Sequence, residues 1–143
     1  MFRRFSEKLL KKRLNNVDPE NIPRFSFDGF ITYAKVINVY DGDTITIIFE
    51  YKGEMIKYSC RIYGIDTPEI RTRDADEKKR GYLARDFLRE YIHNQIVQIE
   101  FLKFDKYGRP LINVFFDIDN NKVNIAEFMI NNGHGKPYFG GKK

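Results

Sequence analysis

Arg61-Ile62-Tyr63-Gly64-Ile65-Asp66-Thr67-Pro68-Glu69, residues 61–69, decides how the chain is read. The residues leading into it, 54–65, alternate. Ile56, Tyr58, Cys60 and Ile62 share one face, while Lys57, Ser59, Arg61 and Tyr63 share the other, as in a half-buried β-strand. Arg61 therefore points away from the core. Thr67-Pro68 must end the strand, because proline donates no ladder hydrogen bond and holds the preceding residue extended. Asp66 and Glu69 are left on a rigid turn at a sheet rim, with Arg61 a few residues behind them.

Upstream, residues 33–40 are strand-like and run into Asp41-Gly42, a strong signal for a two-residue hairpin. Residues 44–51 return, rich in β-branched side chains, and Lys52-Gly53 turns the chain into the strand that carries Arg61. Downstream, Asp74 with Glu77 three residues later predicts a capping box for a helix over 76–93 with the apolar stripe Leu83, Ala84, Phe87, Leu88 and Tyr91. Residues 95–104 alternate again, with Val97, Ile99 and Phe101 inward. Asp105-Lys106-Tyr107-Gly108 turns into a fifth strand over 109–116. Asp119-Asn120-Asn121 closes that strand, Val123, Ala126, Met129 and Ile130 mark a C-terminal helix, and Asn132-Gly133 stops it. Residues 135–143 read as a flexible segment. The order β-β-β-α-β-β-α predicts an α+β domain dominated by β: a five-stranded Greek-key barrel of the OB type, with one helix between strands three and four and another at the C-terminal end.

At 143 residues the chain holds one such domain and an appendage. The division expected is a basic N-terminal helix and linker over 1–29 and a body over 30–143. Arg3, Arg4, Lys8, Lys11, Lys12 and Arg13 against Glu7 account for the whole formal net charge of +5. Attraction to polyanions through net charge thus belongs to the N-terminal segment. There Phe2, Phe5, Leu9, Leu10, Leu14 and Val17 fall on one side of a helical wheel. Three roles are open to it: docking on the body or a partner, binding nucleic acid, or a membrane-surface or organelle-targeting segment. Residues 18–23 break the helix into a linker. No stretch has the roughly 18 consecutive apolar residues of a membrane span, and the first residues lack a continuous apolar signal core. The lone Cys60 makes no internal disulfide, so nothing demands an oxidising compartment and an intracellular setting is favoured. A monomer is expected.

Asp43 has the parity of Ile45, Ile47 and Phe49, which face the core, and a carboxylate so placed needs a compensating partner. Asp66 at another strand end can share it. Two carboxylates with a main-chain carbonyl and waters make a hard-oxygen site for calcium or a similar ion. The plainer reading is that Asp41 and Asp43 serve the hairpin turn and Asp66 caps the next loop. Arg61 and Arg109 are each ordinary at a strand end. Near an acidic metal cluster, though, guanidinium forks bind phosphate oxygens and stabilise charge that grows in a phosphoryl transition state. Glu69 can take a proton from an attacking water. His93 and His134 have neither metal-ligand spacing nor a nucleophile partner.

Asp41-Gly42-Asp43-Thr44, Arg61 through Asp66-Thr67-Pro68-Glu69, and Asp105-Lys106-Tyr107-Gly108-Arg109, in that order over residues 33–139, resemble the staphylococcal nuclease (thermonuclease) family. The resemblance implies an SNase-like OB-fold and a calcium-dependent phosphodiesterase acting on DNA or RNA, in endo or exo mode. It implies that Asp43, Asp66 and the Thr67 carbonyl ligate calcium, with Asp41 supporting them. It also implies that Glu69 orients or deprotonates the nucleophilic water, that Arg61 and Arg109 clamp phosphate, and that Lys106, Tyr107 and Tyr138 contact the nucleotide. Two departures stand out. Residues 70–76 are short and mixed in charge where the family's reference enzyme has a longer lysine-rich loop, and a third helix has no counterpart before Lys143. Substrate preference and the lip of the groove fall outside what the resemblance implies. The rival readings are an OB module that binds nucleic acid or protein without catalysis, or a module whose basic N-terminal helix is the working part. The intact set of carboxylates and arginines favours the enzyme.

Overall fold

The computed structural model describes residues 4–141. Five long strands form the barrel: β1 (Ile31–Val39), β2 (Thr44–Tyr51), β3 (Glu54–Ile62), β5 (Ile96–Phe104) and β6 (Pro110–Ile118). Short β4 (Gly64–Asp66) follows β3, β7 (Asn121–Asn124) extends the sheet beyond β6, and β8 (Lys136–Tyr138) lies near the C-terminal end. The helices are α1 (Arg4–Asn15), α2 (Ala75–Ile92) and α3 (Ile125–Asn131). Hydrogen bonding runs β3-β2-β1-β5-β6-β7, and parallel pairing of β3 with β6 closes the barrel. This is the β-dominated OB-type architecture expected from the alternation.

The inward parity holds strand by strand. Val36, Ile45, Ile47, Cys60, Ile62, Ile99 and Ile112 are fully or almost fully buried. Burial also pushes the Cys60 thiol up to about 12 from its ordinary value of 9.0. One end of the barrel is filled by rings. Phe27, ahead of the expected start of the body at residue 30, is buried with its ring 5.1 Å from Phe101 and 5.4 Å from Phe49. Helix α2 lays Ala84, Leu88 and Ile92 on the barrel.

Several local expectations give way. The β1–β2 connection is not a two-residue hairpin: Val39 pairs with Ile45, and residues 40–43 form a wider loop. Gly42 is required there for proximity, because a Cβ would meet the Thr67 side chain at 2.7 Å. Lys52-Gly53 is the true tight turn, with φ of 50° and 82° between paired Tyr51 and Glu54. Val123 lies on β7, which pairs with β6, and the helix starts at Ile125 with Asn124 as its cap. The tail expected to be flexible forms β8, which pairs antiparallel with β4. Residues 142 and 143 lie outside the described residues. Leu83 is exposed, so the buried stripe of α2 is Gly81, Ala84, Leu88 and Ile92.

Helix α1 forms as its pattern predicts, but Leu9, Leu14 and Val17 are exposed, so these three are not docked on the body. Phe2 and the Phe5 side chain, on the same expected face, lie outside what is described. Among the described residues no helix is long and apolar enough to cross a membrane.

Candidate active site

Barrel closure brings the distant motifs together. Arg61 at the end of β3 pairs with Leu111 of β6, two residues past Arg109. Ile62 N–H donates to the Asp43 carbonyl at 2.8 Å, and Tyr63 N–H to that of Ile112 at 2.8 Å. The β1–β2 loop, the β4 exit and the β5–β6 turn therefore meet at one rim.

Asp43 is the hub, with 8% of its surface exposed. Its Oδ2 accepts from Thr67 N–H at 3.3 Å and from Thr67 Oγ1 at 3.1 Å. Its Oδ1 accepts from Thr44 Oγ1 at 3.1 Å. Arg61 Nη2 sits 3.5 Å from Asp43 Oδ2 and 3.8 Å from Asp66 Oδ1, so one guanidinium answers both carboxylates. Arg61 Nη1 donates to the Ile62 carbonyl at 3.0 Å, and its Cζ lies 5.6 Å from the Tyr138 ring centre. The outward parity of Arg61 is correct, yet its side chain is only 12% exposed because these groups cover it. Asp41 Oδ1 accepts from Asp43 N–H at 3.0 Å. Burial, and then the neighbouring Asp43 carboxylate, push Asp41 up to about 7.

The second cation is fixed from two sides. Asp105 Oδ2 accepts from Arg109 Nε at 2.9 Å, while Oδ1 accepts from the backbone N–H of Arg109 at 2.9 Å and of Tyr107 at 2.8 Å. Arg109 Nη1 donates to Thr44 Oγ1 at 3.2 Å. The Thr44 hydroxyl thus accepts from Arg109 and donates to Asp43, joining the cationic and acidic halves of the site. Lys106 Nζ and Arg109 Cζ lie 5.2 Å and 5.9 Å from the Tyr107 ring centre. Tyr107 and Tyr138 line one cleft of about 690 Å³ with Arg61 and Arg109. There the Tyr138 hydroxyl donates to the Gly141 carbonyl at 2.7 Å.

Glu69 is exposed and borders an adjoining cleft with Asp41, Thr44 and Arg109. Its backbone N–H donates to Glu77 Oε2 at 3.0 Å. Asp74 caps α2 as expected, accepting from Asp76 and Glu77 N–H, but Glu77 reaches the Glu69 loop where a capping box has it turn back to the cap. Gly81 lets that loop lie against α2: a Cβ there would meet the Pro68 and Glu69 carbonyls at 2.9 Å.

The acidic half offers oxygen donors: the Asp43 and Asp66 carboxylates, with the Thr67 hydroxyl beside Asp43. Among the described residues no three side chains of His, Cys, Asp or Glu gather as a metal cluster. Two carboxylates completed by carbonyl and water oxygens are a donor set that fits a hard divalent cation such as calcium. Thr44, Asp105 and Glu77 have structural roles here that the sequence reading did not give them. Thr44 and Asp105 stand inside the three motifs, one residue after Asp43 and four before Arg109, but their sequence positions do not reveal what they join.

The family model described as staphylococcal nuclease homologue matches residues 59–142, which include Arg61, Asp66, Thr67, Glu69 and Arg109, with Asp43 ahead of the match. The chain is 34% identical over 126 residues to an uncharacterized protein of Methanocaldococcus jannaschii, covering 74% of this chain and 59% of that protein. It is 37% identical over 83 residues to a thermonuclease of Staphylococcus hyicus, covering 57% of this chain and 47% of that one. It is 25% identical over 130 residues to endonuclease Htp3 of Saprolegnia parasitica, covering 82% of this chain and 62% of that one. The chain spans about half the length of the curated relatives it matches.

Proposed function

The chain belongs to the family of staphylococcal nuclease homologues, and from that premise we propose that it is a calcium-dependent phosphodiesterase that hydrolyses DNA or RNA by in-line attack of water on phosphorus. The observation that carries the proposal is the single rim at which Arg61 bridges Asp43 and Asp66 while Arg109 is tied to Asp43 through Thr44. Asp43, Asp66 and the Thr67 carbonyl would hold the calcium ion, with Asp41 behind them; when bound it supplies positive charge that polarises the phosphodiester and favours ionisation of water.

The chain's own residues do the rest. Arg61 and Arg109 present forked donors to the non-bridging phosphate oxygens and neutralise the charge that grows on them. Each is held before substrate arrives, Arg61 by the Ile62 carbonyl and Arg109 by Asp105. Ordering a long side chain in advance removes that entropic cost from the reaction step. Glu69, exposed on the neighbouring cleft, takes a proton from the attacking water as the water oxygen bonds to phosphorus; the opposite P–O ester bond breaks and the leaving oxygen takes a proton from solvent. Its loop is held by Glu77 and given room against α2 by Gly81, which sets where the carboxylate starts from. Lys106, Tyr107 and Tyr138 bind the nucleotide next to the scissile phosphate, the lysine by charge and the rings by stacking.

Single-stranded DNA and RNA incubated with the full chain and calcium, magnesium or a chelator test the proposal. Cleavage with calcium and none with the chelator is the result expected. Absence of metal-dependent cleavage of both substrates would overturn it and favour a binding module built on the same barrel.

A further inference from the structure

A second cleft, of about 420 Å³, lies between α2 and the β1–β2 loop and has no part in the chemistry described above. Among its lining residues are Tyr40, Arg71, Lys78, Tyr82, Arg85 and Arg89, and among the described residues no carboxylate lines it. Of the acids beside them in sequence, Asp86 is largely exposed and pairs with Arg85 at 3.0 Å and with Arg89 at 3.9 Å. Exposed pairs of this kind are weakly held and screened by salt, so they compete poorly with a phosphate. Arg89 also donates from Nε and Nη2 to the Val39 carbonyl at 3.3 and 3.1 Å, which fixes this wall of the cleft to β1.

The tyrosines are exposed, and each carries a guanidinium over its ring: Arg85 Cζ lies 4.6 Å from the Tyr82 centre and Arg71 Cζ 5.9 Å from that of Tyr40. Aromatic and guanidinium planes interleaved along a basic groove suit single-stranded nucleic acid, whose bases stack and whose phosphates take charge-assisted hydrogen bonds. Position adds to composition. Tyr40, Ile70 and Arg71 also line the cleft that holds Glu69 and Arg109, and Arg109 in turn lines the Tyr107 and Tyr138 cleft. The three cavities thus share lining residues in series, with Glu69 and Arg109 on the middle one.

We propose that the Tyr40–Arg85 cleft binds the continuation of a single-stranded nucleic acid on the far side of the scissile phosphate from Tyr107. The chain then grips its substrate on both sides of the bond and favours cleavage within strands. This rests on the phosphodiesterase reading for its place in the groove, but binding can be read without turnover.

The test uses the full chain with chelator present, so that nothing is cut, and fluorescence anisotropy of labelled oligothymidylates of about 4 and about 12 nucleotides, within the site sizes of single-strand binders. The wild type is expected to bind the longer probe about tenfold more tightly, within the gain that one stacked base provides. Arg71→Gln/Lys78→Gln/Arg85→Gln is expected to abolish that gain and to flatten the salt dependence by about two units of slope, at about 0.7 per phosphate contact on single strands. Binding of the short probe and the circular dichroism spectrum should not change. Tyr82→Ala, which leaves every charge in place, is expected to weaken the longer probe alone. A triple variant that binds the longer probe as the wild type does overturns the proposal, as does polyglutamate competing as well as unlabelled oligothymidylate. If the gain disappears in the variant while the wild type shows no cleavage with calcium, the binding site stands and the phosphodiesterase reading falls. If cleavage persists with its length preference intact in the variant, the binding site alone falls.

Discussion

Asp105 holds Arg109 at two points, accepting from its side-chain Nε and its backbone N–H, each at 2.9 Å. One carboxylate thereby shapes the β5–β6 turn and aims the guanidinium toward Thr44. Asp105→Ala is expected to lower turnover by about 10²-fold, the scale of a misplacement of about 1 Å in a reacting site. Steady-state kinetics checks this. Asp105→Asn should lose less, because its amide oxygen still accepts one of the two bonds.

Removing the aimed groups themselves should cost more. Arg61→Ala and Arg109→Ala are each expected to reduce turnover by about 10³- to 10⁵-fold, the range for an arginine that stabilises a phosphoryl transition state. Arg109→Lys should not restore it, since an ammonium keeps the charge but not the fork that reaches Asp105, Thr44 and a phosphate together. Circular dichroism shows whether each variant keeps its fold. Near-normal turnover by a folded Arg109→Ala protein would remove that residue from the mechanism.

Gly81→Ala sets helix propensity against packing. Alanine is intrinsically better in a helix interior by about 1 kcal/mol. A Cβ here, however, would lie 2.9 Å from the Pro68 and Glu69 carbonyls, which are backbone and cannot swing aside. Destabilisation of about 1–3 kcal/mol, typical of overpacking, is expected in a denaturant titration. Turnover should fall as the Glu69 loop is displaced. A variant more stable than wild type with unchanged turnover would show that α2 does not position the loop.

Burial pushes the Cys60 thiol up to about 12, so the native chain should resist thiol alkylation at mildly alkaline pH and react once unfolded. The sign for stability follows. Because the folded value is raised, Cys60 contributes stability that is intact below its ordinary value of 9.0 and is lost as pH rises toward about 12, where only the unfolded chain ionises first. Denaturation midpoints between these values should fall more steeply for wild type than for Cys60→Ala.

The barrel was legible because its long strands keep a period of two, from Val36 through Ile47, Cys60, Ile99 and Ile112. The short elements were not. Strand β8 has three residues, one a proline, and exists because Gly64–Asp66 comes to it from some seventy residues upstream, a contact no local pattern contains. Asp41-Gly42 had the composition of a tight hairpin, but the loop is held wide by Asp43, whose bonds run to Thr67 and Arg61. Glu77 had the spacing of a capping box, and its carboxylate was taken by Glu69 N–H instead. In the proposed site, residue type and strand position made Asp43, Asp66, Arg61 and Arg109 candidates, and the family resemblance gave them their expected roles. Thr44 and Asp105 were hidden, because what they do is join two named residues, and that requires their positions in space.

The most direct measurement is the calcium dependence of single-stranded DNA cleavage by wild type, Asp43→Asn and Asp66→Asn, each verified as folded. Saturable activation of the wild type, with both variants needing far more calcium or losing activity altogether, is the predicted result. Variants that cleave with the calcium dependence of the wild type would contradict the assignment of these two carboxylates to the metal site.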